Sequence, residues 1–151
     1  MKKTGITFFL IFITAVSFGQ LVDPVSWSYK AIKTPAGKYD LVMSAVIEGS
    51  WHIYSQYTVK GGPSGTSIRF SPNPLIAVIG KPKEVGNIVK IREGIFGEPV
   101  TVSYFNEKVK FVQSIAVKTN VKTNISGTID YMLCNDRLCA GYKKSFDVSL
   151  D

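Results

Sequence analysis

The sequence predicts an all-β domain, an immunoglobulin-like β-sandwich of short antiparallel strands. Three observations carry that prediction. Apolar residues recur at every second position over many short stretches, which is the period of a half-buried strand. Turn signals rich in Gly, Pro and Asn separate those stretches at fairly even spacing. Beyond the first twenty residues, no segment sustains a helical period with caps. Eight or more short strands punctuated in this way fit a sandwich, or a related barrel, better than any helical architecture.

The elements follow in order. Lys2 and Lys3, the apolar run Ile6 to Phe18 and the small-residue site Ser17-Phe18-Gly19 read as a secretory signal peptide, residues 1–19. The run is shorter than the ~20 residues a bilayer span needs. Residues 20–151 then form one exported domain with no membrane insertion after cleavage. Val25 to Ile32 carries Trp27 and Tyr29 in alternation. Thr34-Pro35-Ala36-Gly37 is a turn, and Tyr39 to Ile47 follows with Tyr39, Leu41, Met43, Ala45 and Ile47 on one face. Glu48-Gly49-Ser50 closes that strand and Trp51 to Tyr54 opens the next. A Gly/Pro-rich loop, Gly61 to Gly65, precedes a short strand at Ile68 to Phe70, and Pro72-Asn73-Pro74 suggests an edge. Leu75 to Ile79 and Ile88 to Ile91 read as short strands, and Val100 to Phe105 with Val109 to Val117 as a hairpin. A last hairpin, Ile125 to Leu133 with Tyr142 to Leu150, ends the chain.

Composition narrows the function classes. Apolar residues make up 45% and charged ones 19%, an ordinary globular balance, so the chain can bury a core without covalent help. Removing Lys2 and Lys3 takes the 18 basic residues to 16 against 11 acidic ones, a formal charge of +5 in place of +7. No dense Lys/Arg cluster accompanies it, which argues against nucleic acid as a partner.

The two cysteines, Cys134 and Cys139, sit at the mouth of the last hairpin around Asn135-Asp136-Arg137-Leu138. Placing one opposite the other pairs Met132 with Gly141, Tyr131 with Tyr142, Asp130 with Lys143 and Thr128 with Ser145. An aromatic, a charged and a hydroxyl pair agree on that register. Ile129, Tyr131, Leu133, Tyr142, Phe146 and Val148 then share the apolar face, broken by Lys144, and both cysteines take the opposite one. In an exported chain an even cysteine count implies a disulfide. A ring this small contributes only about 2 kcal/mol. From spacing alone the bond is equally a staple for the hairpin or a pair that opens and closes.

Two segments tilt that balance. Gly49-Ser-Trp-His-Ile-Tyr-Ser55 and Tyr131-Met-Leu-Cys-Asn-Asp-Arg-Leu-Cys139 resemble the N-terminal domain family of the disulfide interchange protein DsbD, in the expected order along the chain. The resemblance implies an immunoglobulin-like periplasmic domain that shuttles electrons through one cysteine pair. Such a domain takes electrons from a thioredoxin-like partner and hands them to exported thiol proteins, without cofactor or metal. Ile91 to Glu98 resembles that family's cap loop, which shields the sulfurs until a partner docks. Glu93, Gly94, Ile95, Phe96 and Gly97 are then the cap, with Ile95 in the covering position, and Tyr131, Asp136 and Tyr142 line the site. The family's example makes Cys139 the sulfur that bonds to partners. Glu93 and Asp136 raise a nearby thiol pKa, and Arg137 and Lys143 lower it. Where family members often have two prolines after the second cysteine, this chain has Ala140-Gly141. The chain ends at Asp151 without the family's membrane and thioredoxin-like domains, so the electron donor is expected to be a separate polypeptide.

The rival reading is a non-catalytic exported binding or adhesion module with a structural cystine, its ligand stacked on Trp51, Tyr54 and Tyr57. His52, the single histidine, is expected to be an ordinary strand residue: no fourth metal ligand accompanies it and the cysteines, and no third group orients it as a base.

Overall fold

The computed structural model describes residues 23–35, 37–94, 97–118 and 122–151. The signal-peptide segment and the cap residues Ile95 and Phe96 lie outside the described residues. Among the described residues the chain forms ten strands and no helix. Among these residues, therefore, no helix is long and apolar enough to cross a membrane.

Two antiparallel sheets face each other. The first has the order β1-β2-β8-β5, with β1 Val25–Thr34, β2 Lys38–Ile47, β8 Lys108–Val117 and β5 Ile76–Gly86. The second has the order β10-β9-β3-β7-β6: β10 Cys139–Leu150, β9 Thr123–Cys134, β3 His52–Tyr54, β7 Val100–Phe105 and β6 Val89–Glu93. β4, Ser67–Phe70, pairs with β9 off that path. β3 and β4 thus lie along the same flank of β9, β3 at Leu133 and Cys134 and β4 at Gly127 to Asp130.

The alternation of the sequence is the reason for the layers. Tyr39, Leu41, Met43, Ala45 and Ile47 of β2 are all buried, as their period requires. They meet Phe111 and Ile115 of β8 and, from the second sheet, Ile53, Phe105, Ile125, Ile129, Leu133 and Phe146. Each such aliphatic or aromatic side chain contributes about 1.5–3 kcal/mol on burial.

Two local devices fix the sheets. Gly127 sits between Phe70 of β4 and Phe146 of β10. A Cβ there would run into the Arg69 carbonyl oxygen and the Phe146 ring, so only glycine lets the three strands close. Across the sandwich, Glu84 of β5 accepts hydrogen bonds from the Ser55 hydroxyl at 2.8 Å and the Gln56 backbone N–H at 2.6 Å. This ties the chain leaving β3 to the opposite sheet.

One element differs from the sequence expectation. β5 does not stop at Ile79; it runs on to Gly86 across a register shift between Ile79 and Lys83. Gly80, at φ 69°, and Pro82 lie within the shift, and β5 is the edge of its sheet, where a residue without an N–H costs no ladder bond. Gly-Lys-Pro reads as a breaker in sequence and acts as a bulge in the fold.

Candidate functional site

The site grows from the turn between β9 and β10. Asn135 Oδ1 accepts hydrogen bonds from the backbone N–H groups of Arg137 and Leu138, both at 2.9 Å. The Asn135 N–H donates to the Leu138 carbonyl at 2.9 Å. An Asx turn therefore closes the four-residue loop. The next pair out, Cys134 and Cys139, is directly opposed and disulfide-bonded, with Cα atoms 4.1 Å apart. Pairs next to a hydrogen-bonded pair are the narrow ones of an antiparallel ladder, which brings the two sulfurs together. The rest of the expected register is present: Tyr131 stacks on Tyr142 at 5.7 Å, and Lys143 reaches Asp130 at 3.5 Å.

The two sulfurs have different surroundings. Cys139 is exposed on β10, the free edge of the six-stranded sheet. Cys134 is only 1% exposed. It faces away from the main core, as its parity predicts, yet water does not reach it. A second apolar cluster covers it, made of Tyr54 and Val102 with Val100, Tyr104 and Met132 at its rim. Both cysteines take the face expected from their parity, but only Cys139 is exposed there. The reason is the packing of Tyr54 from β3 and Val102 from β7 against Cys134, and the same cluster is met at β7 by the loop from Ser55 to Thr66. Gly62 within it approaches Val100 and Val102, and Thr66 Oγ1 closes it by donating to the Tyr54 carbonyl at 2.6 Å.

A polar chain runs beside the buried sulfur. His52 is directly opposite Cys134 in the β3–β9 pair. Its Nε2 lies 3.3 Å from the Tyr54 hydroxyl, which donates to Glu93 Oε2 at 3.2 Å. The Tyr104 ring packs on the imidazole at 4.4 Å between centroids. Burial lowers the His52 pKa from 6.5, while the charges of Glu93 and Asp136 pull it back up. Burial and the Glu93 carboxylate push the Tyr54 phenol far above its ordinary range, so it remains a donor. A cleft of about 250 Å3 opens here between His52, Glu93, Tyr104, Asn135 and Asp136. On the other flank, Met132 and Gly141 border a groove of about 370 Å3 with Lys143 and Ser64.

Of the residues expected at the site, Cys134, Cys139, Glu93 and Asp136 come together on one face. Gly94 and Gly97 follow at the end of β6, where the Gly97 N–H donates to the Gly94 carbonyl at 3.2 Å, with Gly97 at φ 125°. Tyr131 and Tyr142 do not join them: their rings are on the sandwich side, where Tyr131 donates to Asp23 at 2.8 Å and packs on Trp27. The imagined stacking platform is also absent, because Tyr54 is fully buried and Trp51 packs on the core, leaving only Tyr57 exposed. His52, Tyr54 and Tyr104 are neighbours that the sequence reasoning did not assign to the sulfurs. The shared Trp-His-Ile-Tyr segment contains both His52 and Tyr54, but only the strand pairing sets His52 opposite Cys134.

No family model matches this chain, and no curated protein does. Solved structures do. The N-terminal periplasmic domain of ScsB from Proteus mirabilis is similar over 84% of this chain and 47% of that one, at 14% identity and a TM-score of 0.56. This chain thus spans about half the length of that one. The N-terminal domain of DsbD from Neisseria meningitidis, in the reduced form, is similar over 83% of this chain and 86% of that one, at 13% identity and a TM-score of 0.55. The fold is that of these N-terminal domains, with a disulfide-bonded cysteine pair at the last hairpin.

Proposed function

We propose that this chain is an exported thiol–disulfide exchange domain. Cys134 and Cys139 cycle between disulfide and dithiol, taking electrons from a thioredoxin-like protein and passing them to exported thiol proteins. The observation that carries this reading is the asymmetry of the bond: one sulfur exposed at a sheet edge, the other buried beneath an apolar cluster. A staple has no need of it, whereas exchange uses both halves. A partner thiolate attacks Sγ of the exposed Cys139, and a mixed disulfide forms there as the Cys134–Cys139 bond breaks. The electron pair stays on Cys134. The partner's second thiolate then attacks the partner sulfur of that mixed disulfide, which forms the partner's own disulfide and releases Cys139, leaving this domain as the dithiol. In the opposite direction Cys139 attacks a partner disulfide and Cys134 resolves it. Export rests on the signal-peptide reading of residues 1–19 and on the periplasmic origin of the ScsB neighbour.

The test is the reduction potential, measured by equilibrating the domain against thioredoxin and glutathione buffers. Roughly −180 to −270 mV, the range of exchange proteins, is expected; a bond still oxidised below about −300 mV is a structural staple and overturns the proposal. In the dithiol form, iodoacetamide should label Cys139 first, which mass spectrometry of timed samples checks.

A further inference from the structure

His52 is the only histidine of the chain, and the fold sets it beside the leaving sulfur. It is opposite Cys134 in one strand pair, and Cys134 is opposite Cys139 in the next. Directly opposed residues share a sheet face with Cβ atoms about 4.5–5.5 Å apart, so the three side chains form one row across β3, β9 and β10. We infer that His52 is the proton donor to Cys134 when the disulfide opens, so that the bond opens faster, per attacking thiolate, once this imidazole is protonated.

The hydrogen-bond chain identifies the nitrogen. The Tyr54 hydroxyl has one hydrogen and directs it to Glu93. The contact between that hydroxyl and His52 Nε2 therefore takes its hydrogen from the nitrogen. Neutral His52 is then the Nε2–H tautomer, and Nδ1, which has no hydrogen-bond partner among the described residues, is its basic atom. The titratable groups acting on the ring are Tyr54 from β3, Tyr104 from β7, Glu93 from β6 and Asp136 from the hairpin loop, and Cys134 of β9 is its register partner. The two carboxylates favour the imidazolium; burial opposes it and prevails in the disulfide form.

The chemistry needs a proton at this place. As the partner thiolate bonds to Cys139 Sγ, the S–S bond breaks and its electron pair is left on Cys134 Sγ. That sulfur is buried and shares its face with the Glu93 carboxylate, so a bare thiolate there is disfavoured and leaves slowly. The imidazolium gives its Nδ1 proton to the sulfur, which ends as a thiol, and the ring ends neutral. Solvent in the cleft reprotonates Nδ1. In the reverse direction neutral Nδ1 takes the proton from the Cys134 thiol and releases the thiolate that resolves the mixed disulfide.

The inference rests on the exchange reading, and its test keeps the two apart by using a small thiol. Dithiothreitol opens the bond while the pH is varied between about 5 and 8, the range in which histidine titrates. Its own ionisation is divided out. The rate per thiolate should rise about tenfold or more towards the acid end, a modest share of what general acids supply. The midpoint should match the NMR titration of the single imidazole in the disulfide form. His52→Gln should flatten the profile, and Tyr54→Phe should move its midpoint together with the NMR midpoint. A flat wild-type profile, a midpoint apart from that of the imidazole, or an unchanged profile in His52→Gln overturns the inference. The comparison of wild-type midpoints needs no variant to fold. A thioredoxin-like protein that fails to outpace dithiothreitol tells against the exchange reading alone.

Discussion

Reducing the Cys134–Cys139 bond should leave the domain folded and only slightly less stable. The bond closes a ring of six residues, Cys134 to Cys139, within a hairpin already closed by the Asn135 turn. Chain-entropy loss for six residues is about 7.4 cal/mol/K, or about 2 kcal/mol at room temperature. The main core contains neither cysteine, so it persists without the bond. With a urea m-value of about 2 kcal/mol/M, the unfolding midpoint of the dithiol form should fall by about 1 M. The same quantity appears in the redox equilibrium, since the bond stabilises the fold by as much as the fold stabilises the bond. The folded pair should therefore have a potential about 45 mV more negative than the urea-unfolded chain. Parallel urea titrations with and without reductant, followed by tryptophan fluorescence, measure the first number, and redox buffers in urea measure the second. A dithiol form that is unfolded in water, or a loss above about 5 kcal/mol, refutes the reasoning: the fold would then depend on the bond, which a shuttle cannot allow.

Gly127→Ala should cost about 1–3 kcal/mol by overpacking, because the new methyl meets a backbone carbonyl that cannot move freely; an unchanged midpoint in urea would refute the close approach of β4 and β10. Glu84→Ala removes the acceptor of two hydrogen bonds, one from the fully buried Ser55, and should cost about 2–3 kcal/mol, read in the same assay. Burial holds the His52 pKa below 6.5 in the disulfide form, so between these two values the unfolded chain binds more protons than the folded one. Stability should fall as the pH drops through that window and level off below it. His52→Gln should remove this step from a plot of thermal midpoint against pH.

Much of this protein is determined by local pattern. A strand with one buried face declares itself by alternation, so β1, β2, β7 to β10 and their inward residues follow from the sequence, and a hairpin's register follows from its turn and its cross-strand pairs. That is why the Cys134–Cys139 pairing, Asp130 opposite Lys143 and Tyr131 opposite Tyr142 were legible, as was the side of the sheet on which the sulfurs lie. What the sequence could not determine depends on pairings between distant segments. β3 is three residues long, too short for its own periodicity to select a partner. Only its docking against the end of β9 sets His52 beside Cys134. Burial of Cys134 is likewise decided by Tyr54 and Val102, from distant strands, packing over an otherwise outward face, and the passage of β5 through Pro82 by its place at a sheet edge. Alternation says which way a side chain points, but what lies above it is settled by the rest of the chain.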